Sequence, residues 1–164
     1  MAATYEPIAT TTLTSAQNNI TFNSFSGYTD ILLVASSKMT TYNGVNLNIN
    51  VNSDTGANYS WTAVRGNGSS ATSTRQSSQT YMDGDTYGIM DTTTFAQFNI
   101  SFMNYSNTTT FKTVLSRATS ASRGTEAVVN LWRNTNAITS IVLDCGADSF
   151  ATGSTFTLYG IKAA

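Results

Sequence analysis

Histidine is absent from the chain, and cysteine and proline occur once each, as Cys145 and Pro7. Without imidazole there is no Ser-His-Asp triad or Cys-His pair, and a single thiol cannot build a zinc or iron–sulfur centre. A disulfide within the chain is excluded, so folding does not depend on the redox state of the compartment. Charge is scarce too: Asp, Glu, Lys and Arg make up 10% of the 164 residues, against roughly 25% in ordinary soluble domains. Eight basic residues nearly cancel nine acidic ones, leaving a formal net charge of −1. That balance argues against electrostatic capture of nucleic acid or of an anionic membrane as the main mechanism. No apolar run approaches the roughly 18 residues of a membrane span, and the first residues lack the basic and apolar regions of a signal peptide, so a soluble product made in a cytoplasm is expected.

What fills the space is neutral and polar. Ser, Thr and Asn supply about two-fifths of the chain, far above ordinary usage. Triplets such as Asn19-Ile20-Thr21 and Asn104-Tyr105-Ser106 therefore reflect composition more than glycosylation. The hydrophobic share is 40%, enough for one domain over residues 1–164 without metal or disulfide staples. Apolar and amide residues alternate strictly from Val45 to Val51, the pattern of a strand with one wet face. The continuous run Ile31-Leu32-Leu33-Val34-Ala35 predicts a central strand buried on both faces. Further strands are predicted at Tyr59–Val64, Phe98–Phe102, Phe111–Leu115, Ala127–Trp132, Ile138–Leu143 and Phe156–Ile161, with weaker candidates at Ile20–Phe22 and Tyr87–Met90. Turn residues such as Asn43-Gly44, Gly66-Asn67-Gly68, Asp83-Gly84 and Arg123-Gly124 separate them. Residues Gly66 to Gln79 have almost nothing to bury and read as a long exposed loop. No apolar stripe of period 3.6 is long enough for a helix. About eight to ten short strands then give an all-β, antiparallel sandwich, with a jelly-roll-like arrangement favoured.

Few constellations carry chemistry. Asp83-Gly84-Asp85 with Asp91 places hard oxygens near a flexible glycine, as calcium prefers, but lacks the length and closing Glu of an EF-hand loop, and Asp-Gly is a common hairpin turn. No metal or cofactor is expected. The acids are dispersed, with no pair spaced for glycoside hydrolysis and no histidine to tune them, so catalysis is not expected either. Tyr59, Trp61, Tyr81, Tyr87 and Trp132 are the aromatics to weigh for sugar stacking. Trp61 and Trp132 lie in strand patterns and are expected in the core, leaving Tyr81 and Tyr87 as surface candidates for glycan or partner contact. Arg117, Arg123 and Arg133 fall close in sequence; Arg117 and Arg123 are candidate partner contacts, and salt bridges to Glu126 or Asp144 are the plainer expectation. Cys145 reads as a small buried hydrophobe at a strand end. Low net charge, sparse Lys and Glu and many strands point to self-association, with a ring-shaped homotrimer as the favoured form.

Several short segments carry a resemblance. Tyr5-Glu6-Pro7-Ile8-Ala9-Thr10-Thr11-Thr12-Leu13, Tyr28-Thr29-Asp30-Ile31-Leu32-Leu33-Val34, Gly66-Asn67-Gly68-Ser69-Ser70, Leu115-Ser116-Arg117, Trp132-Arg133-Asn134-Thr135 and, most specifically, the terminal Gly153-Ser154-Thr155-Phe156-Thr157-Leu158-Tyr159-Gly160-Ile161-Lys162 resemble small virion proteins of tailed bacteriophages, including phages of aquatic bacteria and cyanobacteria. The resemblance implies a structural role on the virion outer surface and carries no catalytic residues. No heptad or Gly-X-Y tract suggests a fibre shaft. The expectation is therefore a capsid decoration or cement protein bound to the major capsid protein. The alternative is a tail-fibre or head-appendage module that recognises host surface polysaccharide.

Overall fold

The computed structural model describes residues 5–162. Among them there is no helix; twelve strands form two antiparallel sheets. The strands are β1 (Tyr5–Thr12), β2 (Asn19–Asn23), β3 (Asp30–Ser37), β4 (Asn48–Val51), β5 (Tyr59–Gly66), β6 (Ala71–Gln79), β7 (Met82–Asp83), β8 (Ala96–Phe102), β9 (Lys112–Ser120), β10 (Gly124–Trp132), β11 (Ser140–Asp144) and β12 (Thr155–Ile161). The large sheet has eight strands in the order β1-β12-β3-β8-β9-β10-β5-β6, and the small one four in the order β2-β11-β4-β7. The chain is thus the expected all-β sandwich, divided unequally.

Period-two patterning explains the packing. Ile31, Leu33, Phe98, Ile100, Phe102, Phe156 and Leu158 of the large sheet meet Ile20, Phe22, Ile49, Val51, Ile141 and Leu143 of the small one in one buried cluster. Edge-to-face packing of Phe150 on Phe156, with centroids 5.0 Å apart, closes one end, and stacking of Tyr59 on Trp132 at 6.5 Å lies toward β5. Trp132 is in this cluster, as expected, while Trp61 is buried in a smaller one with Ala63 and Val128. Cys145 is buried just past the end of β11, and burial and then the charges of Asp148 and Asp144 push its thiol up to about 12.

Four expectations need correction. β3 is central, between β12 and β8, but it is not buried on both faces: its burial alternates, and Leu32 and Val34 are half-exposed. The small sheet covers only one side, so a continuous apolar run here supplies a core face and an outward apolar face together. The segment from Gly66 to Gln79 is not a loop throughout, because β6 pairs with β5 along Gly66↔Ala71 to Tyr59↔Gln79. Its side chains are solvated as expected, and backbone pairing alone makes it a strand. Tyr87–Met90 forms no strand; Met90 makes one isolated bridge to Val45. Asp83-Gly84 closes no hairpin, since β7 ends at Asp83 and the chain continues inward.

Candidate functional site

The acidic side chains concentrate where the small sheet gives out. From Asp83, the last residue of β7, the chain passes the inner faces of β10 and β9, and polar side chains of those strands hold Asp83, Gly84 and Thr86. The Asn130 carboxamide accepts the Asp83 N–H at 3.0 Å and donates to the Asp83 carbonyl at 2.9 Å, reproducing with a side chain the pairing of a strand residue. Next along, the Ser116 hydroxyl donates to the Gly84 carbonyl. Glu126 accepts the Thr86 N–H at 2.9 Å and also its hydroxyl. Asp85 accepts the N–H groups of Leu47 at 2.8 Å and Ile89 at 2.7 Å, tying the segment back to the approach to β4. Asp91 caps the turn that follows, accepting the N–H groups of Thr93 and Thr94 and the hydroxyl of Ser122. Gly88 is required by two features of this path: its φ is +65°, and a Cβ would run into the Gly44 carbonyl.

Burial dominates the electrostatics. Removal from water, with the nearby charges of Asp85 and Glu126, pushes Asp83 up to about 7. Asp85, fully enclosed, is also pushed up to about 7 by burial despite its two backbone donors and with a contribution from Glu126. At Asp91 burial works in the same direction, but donors from Ser122, Thr94 and Thr93 outweigh it and hold the carboxyl well below its ordinary range. Asp83 Oδ1 and Trp61 Nε1 are buried without a hydrogen bond of normal geometry, although the indole lies near enough to favour the ionised carboxylate. Acids shifted toward neutrality often mark active sites. Here, however, Asp85, Asp91 and Glu126 are spent on backbone N–H groups, and of these acids Glu126 alone borders a surface trough, the one beside Val64 and Arg117. No group of three or more His, Cys, Asp or Glu among the described residues is arranged to hold a metal ion. This seam is a structural fastening.

The opposite side of the large sheet offers a surface. Register places Tyr159, Leu32, Ser101, Leu115, Val129, Thr62 and Arg75 in one row across β12, β3, β8, β9, β10, β5 and β6. The row beside it runs Thr157, Val34, Asn99, Arg117, Ala127, Val64 and Ser73. Val64 is 56% exposed and Val129 47%. Tyr5, Met103 and Phe111, all more than half exposed, stand at the end of the same sheet where β1 begins, β8 ends and β9 begins. Two shallow troughs of about 460 and 480 Å³ indent the face, one beside Ser60, Thr113 and Leu131 and the other beside Val64, Arg117 and Ala127. Formal charge on these rows comes from Arg75 and Arg117 alone.

The residues singled out from sequence do not converge on this face. Arg117 is exposed on it. Arg123 is half-buried, its guanidinium against Gly44 and its Nε without a hydrogen bond. Tyr87 is half-buried, one ring face covered by the Arg65 guanidinium at 4.2 Å and its hydroxyl accepting from Asn67. Tyr81 is half-buried as well, and burial followed by the charges of Asp83 and Asp144 raises its hydroxyl above the usual range. Tyr59, Trp61 and Trp132 are buried. The expected Arg salt bridges are not made: Lys162 to Glu6, at 2.9 Å, is the one ion pair among the described residues. Arg133 instead binds Ser60 Oγ and the carbonyls of Ala57 and Tyr59. Glu126 is committed to Thr86, and Asp144 accepts from Asn48 and the Gly146 N–H.

The chain matches no family model, no curated protein and no solved structure. Its function has to be argued from its own surfaces.

Sequence reasoning passed over Glu126 and Asn130 as buried fasteners, though a signal was present. Both share strand parity with Val128 and Trp132, so a strand that buries its Trp buries them as well.

Proposed function

We propose that the chain is a virion structural protein of a tailed bacteriophage, acting as a capsid decoration protein that seats the outer face of its large sheet on the major capsid protein and works by binding alone. The observation that carries this reading is that face: a wide, nearly uncharged antiparallel surface on which aliphatic side chains alternate with Ser, Thr and Asn. Neutral hydroxyls and amides cost far less to desolvate than charges, so such a surface can be buried against a protein wall without paired ions. The exposed Val64, Val129, Met103 and Phe111 supply apolar contact, worth about 25 cal/mol per Å² buried. A shell repeats its subunits, and many modest contacts add up through valency.

The test uses purified virions of the phage encoding the chain. Quantitative mass spectrometry is expected to find the protein in hundreds of copies per particle, and the purified protein is expected to co-sediment with empty heads. Val129→Lys, which places an ammonium in the middle of the face, is expected to weaken that binding at least about tenfold while leaving the fold intact, since the site is exposed. A handful of copies per particle, or undiminished binding by the Lys variant, rejects the proposal.

A further inference from the structure

The large sheet ends in two edges of different character. β1 is guarded: Pro7 has no N–H to offer, the register shifts between Pro7 and Ala9, and Glu6 is held in the ion pair with Lys162. These are devices that keep a sheet edge from pairing with another chain. β6 has no proline and no ion pair, and its one register shift, which skips Ser78 between Tyr59↔Gln79 and Ser60↔Ser77, falls at its end and leaves Ala71 to Ser77 uninterrupted. It is nine residues long, Ala71-Thr72-Ser73-Thr74-Arg75-Gln76-Ser77-Ser78-Gln79, with no proline, lysine or acid, and eight of the nine residues are exposed. Its pairing with β5 is regular from Ser60↔Ser77 to Gly66↔Ala71, so the far side of the strand offers a regular ladder of N–H and C=O groups.

We infer that β6 is a self-association edge, pairing antiparallel with β6 of a second copy about a two-fold axis at Thr74. Both faces of β6 are wet, so an added strand need match no core; it needs polar side chains on both faces, which β6 itself has. Charge selects the register. Centring the axis on Arg75 would set two guanidinium groups directly opposite each other, which is unfavourable. Centring it on Gln76 would draw Ser78, at φ +57°, into the ladder. With the axis at Thr74 the pairs are Thr74 with Thr74, Ser73 with Arg75, Thr72 with Gln76 and Ala71 with Ser77; like charges are not set directly opposite, and the central Thr pair is of a kind that favours sheet formation. A head-to-tail ring would need β6 to pair with the guarded β1, so the edges argue for a two-fold pair.

Such a pair has a geometric consequence. A two-fold axis between antiparallel strands stands perpendicular to the sheet, so the joined sheets present their outer faces on the same side. One dimer then offers two copies of the exposed face to a single surface. The inference rests on the edge alone and holds whether or not that surface is a capsid.

The experiment is sedimentation equilibrium of the full chain from micromolar to millimolar concentration. One strand pair buries less than a standard interface, so a reversible dimer of twice the 17.5 kDa chain mass is expected to build up across this range. Thr74→Asp sets two carboxylates against each other at the axis and is expected to raise the dissociation constant about tenfold, with an unchanged melting curve for the monomer. Thr74→Cys is expected to crosslink under mild oxidation and Arg75→Cys to crosslink poorly, which reports the register independently. A monomer throughout, a trimer as the associated species, or a dimer indifferent to Thr74→Asp overturns the inference.

Discussion

Behind β3, β8 and β12 the interior is filled by Ile31, Leu33, Phe98, Ile100, Phe156 and Leu158 against the apolar face of the small sheet. Behind β9 and β10 the same sheet is closed by an irregular segment and the polar side chains of Ser116, Glu126 and Asn130. A strand opposite a strand needs only apolar bulk, because each satisfies its backbone within its own sheet. An irregular segment brings unpaired N–H and C=O groups into the interior, and these must find partners. The sheet supplies them as side chains that imitate backbone. Polar composition is therefore compatible with a dry interior wherever each group meets a specific partner.

The contrast can be tested by removal on each side. Phe98→Ala, in the apolar half, deletes a fully buried ring and is expected to cost about 3–5 kcal/mol at any pH in chemical denaturation. Asn130→Ala, in the polar half, deletes fewer atoms but leaves the Asp83 N–H and carbonyl unpaired, and is expected to cost about 2–4 kcal/mol. If Asn130→Ala cost under about 1 kcal/mol, water would be doing its work and the fastening account would fail.

Acidity separates the halves further. Asp83 and Asp85 have folded values near 7, above the ordinary 3.8. Between about pH 4 and 7 the folded chain keeps protons that the unfolded chain releases, so this contribution is full below that window and is lost as pH rises through it. Asp54, Asp91 and Asp148 are shifted downward. Their contribution is present above pH 4 and is lost as pH falls through their folded values. Greatest stability is thus expected in mildly acidic solution. Asp83→Asn should stabilise the protein by about 2 kcal/mol at pH 8 and change little at pH 4. Thermal melts at the two pH values read the difference directly, and an equal effect at both would mean that Asp83 is ionised without penalty in the fold.

The apolar half was open to sequence reading and much of the rest was not. Alternation over 45–51 gave the inward face of β4, and the runs at 98–102 and 156–161 gave β8 and β12, because their patterns are set by the core they fill. β6 escaped notice because it fills none; Thr, Ser and Gln there become a strand through β5, and no local property records that. Burial alternates strictly from Glu126 to Trp132, but polarity does not: the uniformly apolar Ala127, Val129 and Leu131 face outward, and only the parity shared with Trp132 pointed Glu126 and Asn130 inward. Tyr87–Met90 misled in the other direction: its apolar side chains serve the core from a path fixed by Asp85 and Gly88, with little strand pairing. The outward face of β3 was hidden inside an apolar run that a two-sided core would have explained equally well.

The smallest expected effect is also the control for the comparison. Val128 and Val129 are neighbours on β10, the first fully buried and the second 47% exposed. Val129→Thr keeps the β-branched shape, stays on the outer face and meets no buried partner, so stability should move by less than about 0.5 kcal/mol. Val128→Thr puts the same hydroxyl into the buried cluster with Trp61 and Ala63, away from water, and should cost about 1–3 kcal/mol. Asn130 is accommodated inside this half because the Asp83 backbone receives its carboxamide, whereas Asp83 Oδ1 and Trp61 Nε1 are buried there without a hydrogen bond. Equal costs for the two Thr variants would show that the half behind β9 and β10 is merely loose and wet, and the distinction between a fastened seam and a filled core would collapse.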